Sequence, residues 1–321
     1  MSGVLIIKLG ALGDIVMAAP LVRSIITAHA GEAVAVLTAD EYREIFTRWP
    51  SVTVQAFPRR GARAMTRAIL WVRRGRFRRI YDLQSSDRSA LLCALGGARE
   101  RVGNHPRFPY THHPAEPWTG AGHIHDRWRD VLRSAGIDPG RSQAWLPVTA
   151  AEHDEARRFT AEHGLHHGAF AILHAGASPA HPEKCWPGFG DLAAALRAAD
   201  LGVVWAGAGA DTARNRELAG RHGGVDASGA FSLTGLAALG MLARFAVTND
   251  SAPMHALACA GIPVFGLFGP TDWRRNHAIG QRNHVIAASG DGGAFRPASL
   301  SKLAVPAVLA RLRDAGMLGA G

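Results

Sequence analysis

The feature that most constrains this chain is a recurring unit: a short unbroken apolar run, a glycine-rich or polar turn, then a helical pattern. Val4-Leu5-Ile6-Ile7 is the first such run. Lys8-Leu9-Gly10-Ala11-Leu12-Gly13-Asp14 follows directly, and the helical pattern Ile15–Ile26, with Pro20 as a candidate bend, comes next. A run without polar alternation marks a parallel strand covered on both faces, and parallel strands are joined by helical crossovers. Open sheets of this kind place their ligands in the loops at the C-terminal strand ends. The glycine spacing after Ile7 does not match G-x-G-x-x-G, so a nicotinamide cofactor is not indicated.

The same alternation continues with strands expected near Ala33–Thr38, Val52–Phe57 and Arg79–Leu83, and helices near Glu41–Arg48 and Ala62–Arg74. On the last of these helices Met65, Ile69 and Val72 share one face, while Arg63, Arg67 and Arg74 share another. Arg59, Arg60, Arg73, Arg76, Arg78 and Arg79 crowd the same region, which carries much of the net charge of +10. Such a balance points to an acidic partner. Nucleic acid is disfavoured because no aromatic interleaving or binding motif accompanies the arginines. An anionic membrane surface or a phosphorylated acceptor fits better.

Asp82–Arg88 reads as a polar strand-end loop, and Asn104–His125 as a long irregular loop rich in Pro, His and Gly. Its His112, His113, His123 and His125 lack a partnering acidic or cysteine pattern and read as surface histidines rather than metal ligands. The period is lost between Asp138 and Pro147, which divides 321 residues into domains 1–148 and 149–321. A second cycle then begins: a helix near Ala151–His163, the strand Phe170–Leu173, and a loop carrying Lys184. A helix to about Ala199, the strand Gly202–Trp205, a turn to Asp211 and a helix through Leu218 follow. A helix near Leu233–Leu242 and the strands Phe245–Val247 and Pro263–Leu267 complete a second parallel sheet.

Thr248-Asn249-Asp250-Ser251-Ala252-Pro253-Met254-His255 reads as a strand, a polar turn and a helix start, since Asp and Ser cap helices and Pro suits the first turn. Free N–H groups and the positive dipole end there would hold a phosphate. An ordinary capped helix explains the same stretch equally well.

Three scattered cysteines, Cys93, Cys185 and Cys259, argue against a disulfide framework or structural zinc and suit a reducing cytoplasm. Met1–Lys8 lacks the pattern of a signal peptide, and no apolar run is long enough to span a bilayer.

Four motifs occur in order: Lys8…Leu12-Gly13-Asp14-Ile15-Val16…Pro20, Lys184-Cys185-Trp186-Pro187, Thr248–His255, and Leu267-Phe268-Gly269-Pro270-Thr271-Asp272. Together they resemble glycosyltransferase family nine, the ADP-heptose:lipopolysaccharide heptosyltransferases, over nearly the whole chain. The resemblance implies an α/β GT-B fold, two Rossmann-like doubly wound domains facing a central cleft, with the last helix, about residues 299–315, crossing back onto the first domain. It implies inverting transfer without a metal or other cofactor, from a nucleotide sugar, ADP-heptose, to an acidic lipopolysaccharide inner-core glycolipid. Asp14 is then the general base, Lys184 holds donor phosphate, and Asp250, Ser251 and Ala252 meet the diphosphate and sugar, with His255 behind them. Ala252 stands where the family usually has glycine.

The Trp205–Asp211 turn and the helix after it are the expected nucleoside contacts, with Glu217 a ribose candidate, and Lys8, Gly13, Arg60 and Arg63 are acceptor-binding candidates. The expected setting is cytoplasmic, with peripheral contact at the anionic inner membrane surface. The alternatives are another nucleotide sugar, a protein or other glycan acceptor, or a nucleotide-sugar epimerase or hydrolase on the same fold.

Overall fold

The computed structural model describes residues 3–50, 52–141, 143–289 and 295–319. Met1, Ser2 and Ser142, part of the leader and linker readings, lie outside the described residues. The chain divides into two compact units, Met1–Ser142 and Gln143–Gly321, a few residues before the boundary expected from the sequence.

The first unit runs β1 (Val4–Ile7), α1 (Leu12–Ala28), β2 (Val34–Ala39), α2 (Arg43–Phe46), β3 (Val52–Phe57), α3 (Ala62–Gly75), β4 (Arg79–Asp82), α4 (Asp87–Leu95), β5 (Glu100–Val102) and α5 (Ile124–Ser134). Its sheet is parallel throughout, in the order β3-β2-β1-β4-β5. All four residues of β1 are fully buried, as a central strand covered on both faces requires. The strand order reverses beside β1, so the loops after β1 and β4 emerge together at the C-terminal sheet edge.

The second unit repeats the scheme: α6 (Ala150–Glu162), β6 (Phe170–His174), α7 (Phe189–Ala198), β7 (Gly202–Gly207), α8 (Thr212–His222), β8 (Val225–Ser228), α9 (Leu233–Gly240), β9 (Phe245–Asn249), α10 (Ala252–Ala258), β10 (Val264–Phe268), α11 (Trp273–Asn276), β11 (Val285–Ala287) and α12 (Val305–Asp314). The sheet order is β11-β10-β9-β6-β7-β8, again all parallel, with its reversal between β6 and β9. Successive strand residues feed opposite cores. Phe170, Ile172 and Val204 join one with α9 and α10, whereas Ala171, Leu173 and Val203 join the other with α7.

The structure adds elements to the sequence reading. The edge strands β8 and β11, absent from the sequence reading, extend the sheet beyond β7 at one edge and beyond β10 at the other. Helix α5, which the sequence reading did not include, follows the irregular loop and overlaps only its last two residues, with Trp128, Val131 and Leu132 on its buried side. In the last helix, α12, Val308 and Leu312 are fully buried in the second unit's core with α7.

Candidate active site

Each unit places a Lys–Asp pair in the loops at its sheet's reversal. In the first, Lys8 follows β1 and Asp14 is the third residue of α1. Gly10 holds the turn between them at φ 137°, and a Cβ there would strike the Tyr42 ring, so only glycine suits the position. Lys8 is fully buried. Its ammonium donates to the Leu83 carbonyl at 3.1 Å, lies 4.2 Å from the centre of the Trp128 ring and 3.7 Å from Asp14 Oδ2. Burial lowers the Lys8 pKa to about 8, against the attraction of Asp14 and the buried Asp82. The enclosed ammonium is directed at the Leu83 carbonyl and Asp14. Asp14 is neither buried nor a helix cap: its side chain is 40% exposed, and the residue in the cap position is Ala11.

Asp82 organises the neighbouring loop rather than contacting solvent. It accepts from the Gln84 and Ser85 N–H groups at 2.9 and 3.0 Å and from the Tyr110 hydroxyl at 2.5 Å, and burial raises its pKa. Gln84 in turn accepts from the Leu9 N–H, tying the two loops together. Beside them is a cavity of about 220 Å³ walled by Leu9, Thr38, Phe57, Arg59, Gln84 and Arg88, with Ala68 of α3 and Leu92 of α4 as apolar backing. Sequence reasoning chose Arg60 and Arg63 instead. Both are exposed and outside this wall, and Gly13 lies partly buried in the first turn of α1.

In the second unit Lys184 ends a short 3₁₀ turn, Pro182–Lys184, and its ammonium meets Asp250 Oδ2 at 2.7 Å. Thr271 donates to the same oxygen, also at 2.7 Å. Here the carboxylate is the buried partner, 8% exposed against 17% for the lysine side chain. The loops are fastened by Asn249, which donates to the Ala175 and Gly176 carbonyls and accepts from the Trp186 N–H. Trp186 is buried and donates through Nε1 to the Leu303 carbonyl, so the Lys-Cys-Trp-Pro motif is a rigid mount for its lysine. Arg214 of α8 adds a second cation, donating to the Ala175 carbonyl at 3.3 Å and to Cys185 Sγ at 3.5 Å.

Ser251 occupies the cap position of α10 but makes no side-chain cap, contrary to the expectation from its type. Its hydroxyl lies 3.2 Å from His174 Nδ1 and donates to the Asn249 carbonyl at 3.3 Å. Burial lowers the His174 pKa to about 4, keeping the imidazole neutral. Ala252 is an ordinary first helical residue followed by Pro253, and His255 is buried one turn on. Trp205, at the start of the turn expected to meet the nucleoside, lies in the core with its indole N–H on the Gly223 carbonyl. Residues 208–210 of that turn are exposed. Glu217 sits on the exposed side of α8, paired with Arg221 at 3.0 Å, and takes no part in the Lys184–Asp250 group.

Thr271, Asn249, His174 and Arg214 were not assigned from the sequence. Thr271 lies in a quoted motif, but only the fold shows which carboxylate it serves. Among the described residues no cluster of three or more His, Cys, Asp or Glu side chains is placed to hold a metal, and His125, read as a surface residue, is buried with Nδ1 2.8 Å from the Met17 carbonyl.

The model of glycosyltransferase family 9 (heptosyltransferase) matches residues 65–294, which include Lys184 and Asp250. The chain belongs to glycosyltransferase family 9. It is a glycosyltransferase with the α/β GT-B fold of its family. A family 9 glycosyltransferase from Veillonella parvula is 20% identical, with a TM-score of 0.80 over 98% of this chain and 96% of that one. The E. coli ADP-heptose lps heptosyltransferase II is also 20% identical, with a TM-score of 0.73 over 97% and 98%. E. coli heptosyltransferase WaaC with ADP gives the same identity and score over 97% and 99%. No curated protein matches the chain. Among the described residues, no helix is long and apolar enough to cross a membrane.

Proposed function

We propose that this family 9 enzyme moves a heptosyl group from ADP-heptose to an acidic lipopolysaccharide inner-core acceptor with inversion. The acceptor hydroxyl oxygen attacks the anomeric carbon as the bond to the diphosphate breaks. Asp14 takes the hydroxyl proton and ADP leaves. Lys184, with Arg214 near its loop, meets the negative charge that builds on the diphosphate, so no metal or other cofactor is assigned to the reaction. Asp250 and Thr271 hold Lys184 in place. Ser251 and the N–H of Ala252 are the proposed sugar and phosphate contacts, and Arg59 and Arg88 at the first unit's cavity suit an acidic acceptor. Such an acceptor is lipid-anchored, so the reading includes peripheral contact with an anionic inner membrane surface from the cytoplasmic side.

The observation that carries this reading is the opposite burial of the two Lys–Asp pairs: one presents a carboxylate, the other a cation. The names of two similar structures, one with ADP and the other an ADP-heptose enzyme, support the donor. A thermal-shift comparison of nucleotide sugars tests it. ADP-heptose should raise the melting temperature more than uridine nucleotide sugars do; the reverse order would overturn the donor assignment.

A further inference from the structure

We infer that the outer face of α3 and α4 is a docking surface for an anionic phospholipid bilayer. Among the described residues four large hydrophobic side chains are exposed, and three of them lie on these two helices: Leu70 at 45%, Leu91 at 44% and Leu95 at 42%. The helices pack against each other. Single exposed leucines are ordinary on a soluble surface, but here three of the four exposed large hydrophobics fall on two helices that pack together.

Charge selects the occupant. On α3 the positions 63, 67, 70 and 74 fall on one stripe at helical spacing, so Leu70 stands among Arg63, Arg67 and Arg74. Between Pro58 and Arg79 the sequence holds nine arginines and no acidic residue. Arg78 and Arg79 are engaged by Glu32 and Glu100, whereas the other seven are exposed. On α4, Leu91 and Leu95 are one turn apart, and Asp87 at the helix start is the acidic exception. Exposed leucines beside an arginine-rich helix match an interface where acyl chains lie beneath lipid phosphates. The same helices turn Ala68 and Leu92 inward to the cavity beside Arg59 and Arg88. A lipid whose tails stay in the bilayer would thus have its polar head near that cavity; this link rests on the acceptor reading above, whereas the docking itself does not.

Vesicle co-sedimentation of the full chain, with no sugar donor or acceptor present, tests the surface. Binding should be at least about tenfold tighter to vesicles containing phosphatidylglycerol than to phosphatidylcholine alone, and should weaken with salt. Leu70→Glu/Leu91→Glu/Leu95→Glu and, separately, Arg67→Glu/Arg74→Glu should each weaken it at least about tenfold while the melting temperature is kept. Absence of binding to anionic vesicles, or unchanged binding by both variants, overturns the inference. So does a leucine variant that converts a dimer to a monomer without changing vesicle binding, since a second copy of the chain would then be the occupant. Either failure leaves the transferase reading standing, because neither donor nor acceptor enters the assay.

Discussion

The two units build the same kind of sheet and put a Lys–Asp pair at the same topological point, yet they bury opposite members of it. Lys8 is enclosed by Leu83, Trp128 and its own strand while Asp14 reaches solvent; Asp250 is enclosed by Thr271 and its strand end while Lys184 is the more open partner. In the first unit burial acts on the hidden group, lowering the Lys8 pKa to about 8. A presented carboxylate can take a proton, and a presented ammonium can hold a phosphate. The difference teaches that one architecture can leave either member of such a pair the more exposed: the carboxylate in the first unit and the ammonium in the second.

The comparison breaks most sharply at Asp14. Asp14→Asn keeps the shape but cannot accept the proton, and turnover should fall about 10³-fold with the melting temperature unchanged. Lys184→Met should weaken ADP binding by about 10- to 100-fold, the range for a hydrogen bond to a charged group. It also leaves the Asp250 carboxylate buried without its cation, so stability should drop by on the order of 3 kcal/mol, read by denaturant unfolding. Lys8→Met should be milder, about tenfold in turnover, since it loosens the base without removing it. Its signature is the pH profile. Lys8 loses its charge as pH rises through about 8, so wild-type turnover should decline on that alkaline side and the variant's should not.

Smaller effects separate the units further. His125 and His174 are held at pKa values of about 4 by burial, below the ordinary 6.5. The unfolded chain therefore binds more protons between those values, and stability present above pH 6.5 should be lost as pH falls toward 4. Each accounts for a loss of about 2 kcal/mol by pH 5, and His174→Gln should remove the second unit's share. The smallest expected effect is that of a chelator, which should leave turnover unchanged.

Much of this was legible in the residues. The runs Val4–Ile7, Phe170–Leu173 and Phe245–Val247 have no polar face to expose, so buried parallel strands followed from them directly. Asp14, Lys184 and Asp250 stood out because each follows such a run in a polar loop. What could not be read was which charge is hidden. Lys8 looks like a strand-end cation until Trp128 arrives from a helix more than a hundred residues later, and only the fold shows that Lys184 and Thr271 meet on the Asp250 carboxylate. Ser251 has the type of a cap but turns to His174. These are long-range placements, and local pattern carries no information about them.

Isothermal titration of ADP into the wild-type chain, Asp14→Asn and Lys184→Met tests the central division of labour most directly. The account predicts that Asp14→Asn binds ADP as the wild type does while Lys184→Met loses about tenfold or more in affinity. Full ADP affinity in Lys184→Met, or its loss in Asp14→Asn, would contradict it.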